Sequence, residues 1–254
     1  MIGRGVIVAA IALSAAVSAC GSPGPRGPSN AVIARTLSTA PGAAQPSTIV
    51  ATELAYARAA KETGLFTAGA QYAAPGAVLH GRNGPVPFRT LTTTLNDPAV
   101  ATQWAPRLVV KSCDGSLALS QGRYLDGEGM VGNYVTVWAL QSDGSYKWSY
   151  DVAGPDVPQP PPREEFEDGA IVVTAIDLVE GLIATCPGDN QTIPPPPPIP
   201  VGEEGAADAQ LARDGTLRWR WEHRADGTKY VTAQYFYLGE WLTAIEESLT
   251  SPLE

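Results

Sequence analysis

The groups with which this chain could do chemistry are few: two histidines, three cysteines, and 26 carboxylates set against 17 lysines and arginines. His80 follows the apolar pair Val78-Leu79 and precedes Gly81-Arg82-Asn83-Gly84. Turned inward, it would act as a general base or ligand contact, because an imidazole changes charge near neutral pH. Turned outward, it is an ordinary histidine at a loop edge. His223 lies in the charged stretch Glu222-His223-Arg224 and reads as exposed. The two histidines lack the cysteine or carboxylate spacing of a metal site, so no metal ligand and no cofactor is expected. Asp97, Asp114, Asp126 and Asp143 all stand in turn contexts, where short carboxylates bond their own backbone. No carboxylate is marked by its neighbours as a pocket base, and the catalytic residues stay unassigned.

Residues 127–132 read Gly-Glu-Gly-Met-Val-Gly and fit G-x-G-x-x-G by letter. A dinucleotide loop needs a strand before it and a helix after it, so that the pyrophosphate meets a helix N-terminus. Here the following Asn133-Tyr134-Val135-Thr136-Val137-Trp138 reads as another strand, which makes the match a glycine-rich hairpin loop. The chain contains no G-x-S-x-G, H-E-x-x-H or P-loop, so the commonest hydrolase and nucleotide classes have no signature here.

The elements that must position these groups fall into two sets. Thr48 to Gly64 reads as a helix with Val50, Leu54, Tyr56 and Ala57 on its apolar side, followed by a shorter helix over Leu65 to Ala73 and a weak one over Pro85 to Leu95. Strand-like runs then occupy Trp104 to Ser112, Leu117 to Leu125, Asn133 to Leu140 and Tyr146 to Val152, separated by Asp-Gly turns. Helices followed by a meander of strands indicate α+β. The C-terminal stretch, 170–254, reads as a small β-rich unit. Ala170 to Cys186 is an apolar strand, and Ala207 to Ala212, Thr216 to Glu222 and Lys229 to Tyr237 form a second meander. In it Leu217, Trp219 and Trp221 share a packing face, and Arg218, Arg220 and Glu222 a wet one. Trp241 to Leu249 fits a short helix or a strand.

The first nineteen residues resemble a bacterial lipoprotein signal: Arg4, an apolar run from Val6 to Ala16, and the lipobox Val17-Ser18-Ala19-Cys20. The resemblance implies export, acylation of Cys20 and a periplasmic protein held to the membrane by lipid; Gly21 after the cysteine implies the outer membrane. A Sec signal cut at Ala19 is the other reading. Residues 20–47, rich in Gly, Pro, Ser and Ala, then form a tether. Residues 154–169 form a Pro/acidic linker, and 194–200 a proline loop whose run Pro194 to Pro198 favours a stiff polyproline helix. A net charge of −9 and a pI near 4.8 argue against nucleic acid and anionic membrane surface as electrostatic partners. With Cys20 consumed by lipid, Cys113 and Cys186 are left as an even pair in an oxidising compartment, available for a disulfide or retained as two buried thiols.

Leu54-Ala55-Tyr56-Ala57-Arg58-Ala59-Ala60, residues 72–78 (Tyr-Ala-Ala-Pro-Gly-Ala-Val), Trp104-Ala105-Pro106, residues 112–118 (Ser-Cys-Asp-Gly-Ser-Leu-Ala) and residues 143–148 (Asp-Gly-Ser-Tyr-Lys-Trp) carry a second resemblance. They resemble the nuclear transport factor 2-like superfamily, which includes SnoaL-like cyclases and ketosteroid isomerases, and within it a group of envelope proteins. The resemblance covers residues 48–153. It implies helices packed on a strongly curved antiparallel sheet to make a cone, pairing of two copies through the open sheet, and a small apolar pocket. Tyr56, Phe66, Tyr72, His80, Trp104, Tyr134, Trp138 and Trp148 would line that pocket or simply fill the core. Without an identifiable base, the expected function is a non-catalytic binding or accessory module for a small apolar ligand. The alternative is a pocket enzyme, an isomerase, cyclase or hydrolase.

Overall fold

The computed structural model describes residues 45–161, 178–188, 192–198 and 206–251. The expected signal, Cys20 and most of the tether lie outside the described residues, as do the second half of the acidic linker and the first part of the apolar run from Ala170. Among the described residues the fold is α+β, with three helices, a large curved mixed sheet and a separate four-stranded sheet. No helix among them is long and apolar enough to cross a membrane.

The chain enters through α1 (Pro46–Thr63) and α2 (Leu65–Tyr72). Between them Gly64 adopts φ 108°, a left-handed value that a side chain would strain. Asp97 caps α2 from a distance, its Oδ1 accepting the Phe66 amide at 2.5 Å. That differs from the self-capping turn read from sequence. β1 (Ala73–Gly81) and β2 (Gly84–Pro87) form a hairpin, and α3 (Phe88–Thr94) follows it. The weak helical segment expected from Pro85 is therefore helical only after Pro87, since Val78↔Pro87 and Leu79↔Val86 draw the first residues into strand pairing.

β3 (Gln103–Lys111), β4 (Leu117–Leu125), β5 (Val131–Leu140) and β6 (Tyr146–Pro155) form the expected antiparallel meander. β1 joins β6 in parallel, and β7 (Glu180–Ile183), contributed by the C-terminal part of the chain, joins β3 in parallel; the sheet order is β2-β1-β6-β5-β4-β3-β7. Register shifts interrupt the β1/β6, β3/β4 and β5/β6 ladders. Such irregularities bend the strands and sharpen their twist. The second sheet comprises β8 (Ala206–Leu211), β9 (Leu217–His223), β10 (Lys229–Tyr237) and β11 (Glu240–Leu249), in the order β11-β10-β9-β8. The segment from Trp241 is thus a strand.

Two apolar cores result, one on each face of the large sheet. Strand alternation sends Val135 and Val137 of β5 and Tyr150 and Val152 of β6 to one face, where they meet Leu217, Trp219, Val231 and Ala233 of the small sheet. Trp138 goes to the other face by the same alternation, and Trp148 is turned there by the register shift between β5 and β6; both pack with Ile49 and Phe88 from the helix side. The order of layers is therefore helices, large sheet, small sheet. The join between sheets is polar at one end: Cys113 N–H donates to Thr216 Oγ1 at 2.9 Å and Asp114 N–H to Asp214 Oδ2 at 2.7 Å. These bonds dock the turn Asp114-Gly115 onto the similar turn Asp214-Gly215. Cys113 and Cys186 are bonded there, with Cα atoms 5.1 Å apart.

The tryptophan face of β9 packs inward as expected, but the charged face is not wet throughout. Arg220 and Glu222 are each 5% exposed and pair with one another, and Arg224 Nε donates to Glu222 at 3.2 Å. The proline run is likewise not a free loop: Trp241 Nε1 donates to the Pro194 carbonyl at 2.9 Å and Arg218 Nη2 to that of Pro197 at 2.7 Å.

Candidate functional site

Between the helices and the large sheet lies a cavity of about 270 Å³. α1 and α2 place Tyr56, Leu65 and Phe66 on it, and α3 places Phe88. From the sheet come Leu79 of β1, Trp104 of β3, Tyr124 of β4, Tyr134 and Thr136 of β5, and Trp148, Asp151 and Ala153 of β6. The aromatic walls brace one another: Tyr56 meets Trp104 edge-on at 4.9 Å and Phe88 meets Trp148 edge-on at 4.7 Å. Gly122 lets the Tyr134 side chain lie flat across β4, since a Cβ there would stand 2.7 Å from its hydroxyl oxygen.

Of the eight residues expected at a pocket, the cavity brings together Tyr56, Phe66, Trp104, Tyr134 and Trp148. Tyr72 stacks on Tyr56 at 5.0 Å without lining it. Trp138 is enclosed in the core, its Nε1 donating to Ser120 Oγ at 2.9 Å. His80 points to the opposite face of the sheet, where it meets His223, a residue that is half-buried and not exposed. The glycine-rich residues 127–132 span the turn between β4 and β5 and the first two residues of β5, with Asp126 Oδ1 accepting the Met130 amide at 2.8 Å.

The residues missed from sequence are two carboxylates. Asp151 sits in the cavity wall because β6 alternates, with Tyr150 and Val152 facing the small sheet and Asp151 facing the helices. Thr136, its partner across the β5/β6 ladder, donates Oγ1–H to Asp151 Oδ1 at 2.6 Å. Burial outweighs that bond and the nearby Lys229 charge, and pushes the Asp151 carboxyl up to about 6. Glu53 lies deeper, on the inner face of α1 and 1% exposed. The helix buries Ile49, Glu53 and Ala60; of the apolar side expected from sequence, Val50 and Tyr56 pack on the core, while Leu54 is 45% exposed.

Neither Glu53 oxygen has a well-formed hydrogen bond, and the Tyr134 hydroxyl and Trp148 Nε1 also lack one. The hydroxyls of Tyr134 and Ser120 are close enough to favour the charged Glu53, but burial dominates and pushes its carboxyl up to about 7. Burial, reinforced by the two carboxylates, drives the Tyr134 and Tyr56 hydroxyls upward and keeps them protonated. Among the described residues no three His, Cys, Asp or Glu side chains gather as metal ligands.

Chemically, the cavity offers an apolar container with an acid–base group in its wall. A carboxyl that titrates near 6 is mostly ionised at neutral pH yet strong enough as a base to take a proton from an activated position. Tyr134 is a protonated donor in the same cavity wall. No protein-family model matches the chain, and no curated protein matches it.

Proposed function

We propose that this chain is a pocket enzyme of the nuclear transport factor 2-like kind, performing proton-transfer chemistry on a small, largely apolar molecule. The observation that carries this reading is Asp151, a carboxylate in the wall of an aromatic cavity with its basicity raised by burial and the Tyr134 hydroxyl nearby. In the reaction Asp151 takes a proton from the bound molecule, and Tyr134 O–H donates to oxygen where negative charge develops. The cone is supported by the order of helices before meander, the bulged curved sheet and the cavity between the layers.

Binding without turnover is the second reading. The aromatic walls favour it, since affinity there would come from apolar burial alone. Asp151→Asn separates the two. Tested on a panel of isomerase, cyclase and hydrolase substrates, the wild type should turn over at least one of them, and the variant should lose at least about 100-fold of that rate while still binding it. Wild-type binding with no turnover on the panel, or equal turnover in both proteins, sinks the enzymatic reading.

The site would work at the periplasmic face of an envelope membrane, held there by acyl chains on Cys20. The lipobox Val17-Ser18-Ala19-Cys20 and the acidic composition support this, because a chain of this charge gains nothing from an anionic surface. Fractionation of a Cys20→Ala chain should find it released from the membrane. Its retention there as a processed protein would reject the anchor.

A further inference from the structure

On the face of the large sheet opposite the cavity, a second polar assembly crosses between layers. His80 of β1 is 1% exposed. Its Nδ1 lies 2.5 Å from the Tyr150 hydroxyl of β6, and its Nε2 lies 2.9 Å from Nδ1 of His223 on β9. Trp221 packs edge-on to the His80 ring at 5.0 Å. His223 in turn borders a polar surface cleft with Arg82, Asn83, Asp226 and Thr228.

The chain has a direction. Burial keeps the Tyr150 hydroxyl protonated, and His80 Nδ1 is the acceptor shown for it among the described residues. The His80 proton therefore sits on Nε2 and is donated to Nδ1 of His223, whose own proton is on Nε2. In this state every interior position is satisfied. One more proton breaks the arrangement wherever it is placed. On Nδ1 of His223 it sets two N–H groups against each other; on Nδ1 of His80 it takes away the acceptor of Tyr150. Either way a buried donor loses its partner, which costs more than making a bond there gains.

The charges facing this chain point the same way. Lys229 of β10 is buried, donates Nζ–H to the Ala153 carbonyl at 2.6 Å, and adds positive potential at His80. Asp151 belongs to the opposite face of β6. Asp226 and Arg82 stand in the cleft, outside the layer.

We propose that Tyr150, His80 and His223 form a proton-operated latch between the two sheets, closed while both histidines are neutral and opened when a proton drives His223 out into the cleft. Burial, the second histidine and Lys229 hold the His80 ring down to about 4, as expected for a base that must stay neutral while the layers are in contact. Opening would loosen β9 from β1 without disturbing the helix side of the large sheet.

Hydrogen exchange of the full chain tests this, with amide rates in β1, β6 and β9 normalised to their intrinsic values between pH 7.5 and pH 4.5. The wild type should show about a tenfold rise in those strands as the pH falls, with α1 and β4 unchanged. His223→Gln, whose carbonyl accepts the His80 N–H but binds no proton, should stay flat. A flat wild type, or a glutamine variant that opens like the wild type, overturns the latch. Should that variant fail to fold, ring NMR of the wild type decides: a His80 ring that stays neutral well below pH 6.5 supports the latch, and a His80 ring that titrates near 6.5 rejects it.

Discussion

On its helix side the large sheet buries Glu53 and Asp151 around an open cavity, whereas on its other side it buries His80 in a closed chain of hydrogen bonds with Tyr150 and His223. The same strand contributes to both, since Tyr150 and Asp151 are neighbours on β6. What differs is how fully the buried groups are partnered: Asp151 accepts from Thr136, but neither Glu53 oxygen has a well-formed hydrogen bond, whereas His80 is bonded at both ring nitrogens. A satisfied group costs little and specifies how two layers fit; an unsatisfied one is a standing penalty that packing alone would have no reason to keep. The face that holds the unsatisfied Glu53 is therefore the one assigned to ligand chemistry, and the fully partnered face the one assigned to assembly.

The two faces also respond to pH with opposite sign. Glu53 in the folded chain holds its proton up to about pH 7, while an unfolded glutamate releases it near 4.5. The folded state thus binds more protons in this window, and stability falls as pH rises through it. His80 is the reverse: the unfolded ring takes a proton near 6.5 and the folded ring only near 4, so stability is lost as pH drops from 6.5 towards 4. Between about pH 4.5 and 6.5 the two contributions therefore oppose one another, and substitution of one group should expose the slope of the other.

The largest effect is expected at the disulfide that staples the end of β7 to the end of β3 at the edge of the large sheet. Cys113 and Cys186 are separated by 73 residues, and closing a loop of that length contributes about 4 kcal/mol by constraining the unfolded chain. Double replacement by alanine should lower the denaturant midpoint accordingly. If stability is unchanged, β7 is held by its pairing with β3 alone, and the crosslink adds nothing on this side of the molecule.

A smaller effect, of opposite direction, should come from the cavity side. Glu53→Gln removes a charge that the folded state tolerates poorly, and should stabilise the chain by about 3 kcal/mol at pH 8 and by much less at pH 5. Thermal melts at the two pH values check it. A destabilised variant at pH 8 would show that Glu53 is a satisfied structural group, erasing the contrast between the faces.

Much of the framework was legible in the residue pattern. The four runs from Trp104 to Val152 and the meander after Ala207 alternate clearly and are separated by Asp-Gly pairs, a signal local enough to survive without tertiary context. Five of the pocket aromatics were legible too, because large rings on one face of a curved sheet have few other places to go. Glu53 was not. A carboxylate on a helix reads as solvent-facing, and Leu54 beside it, expected to pack, is the exposed one of the pair. Asp151, flanked by Tyr150 and Val152, reads as the outward residue of a half-buried strand; that strand is covered on both faces.

What the sequence determined by itself is therefore the class of the fold, the positions of most strands and turns, and the pairing of the two remaining cysteines as an option. Those follow from periodicity and turn chemistry, which act over a few residues. The tertiary structure alone decided that β7 completes the first sheet, that the small sheet covers the face opposite the helices, and that His80 meets His223 across 143 residues of chain. It also decided which carboxylates lie beside the cavity. Burial of a charged group is set by what packs above it, and for Glu53 and Asp151 that is supplied by elements distant in sequence, whose approach no local pattern encodes.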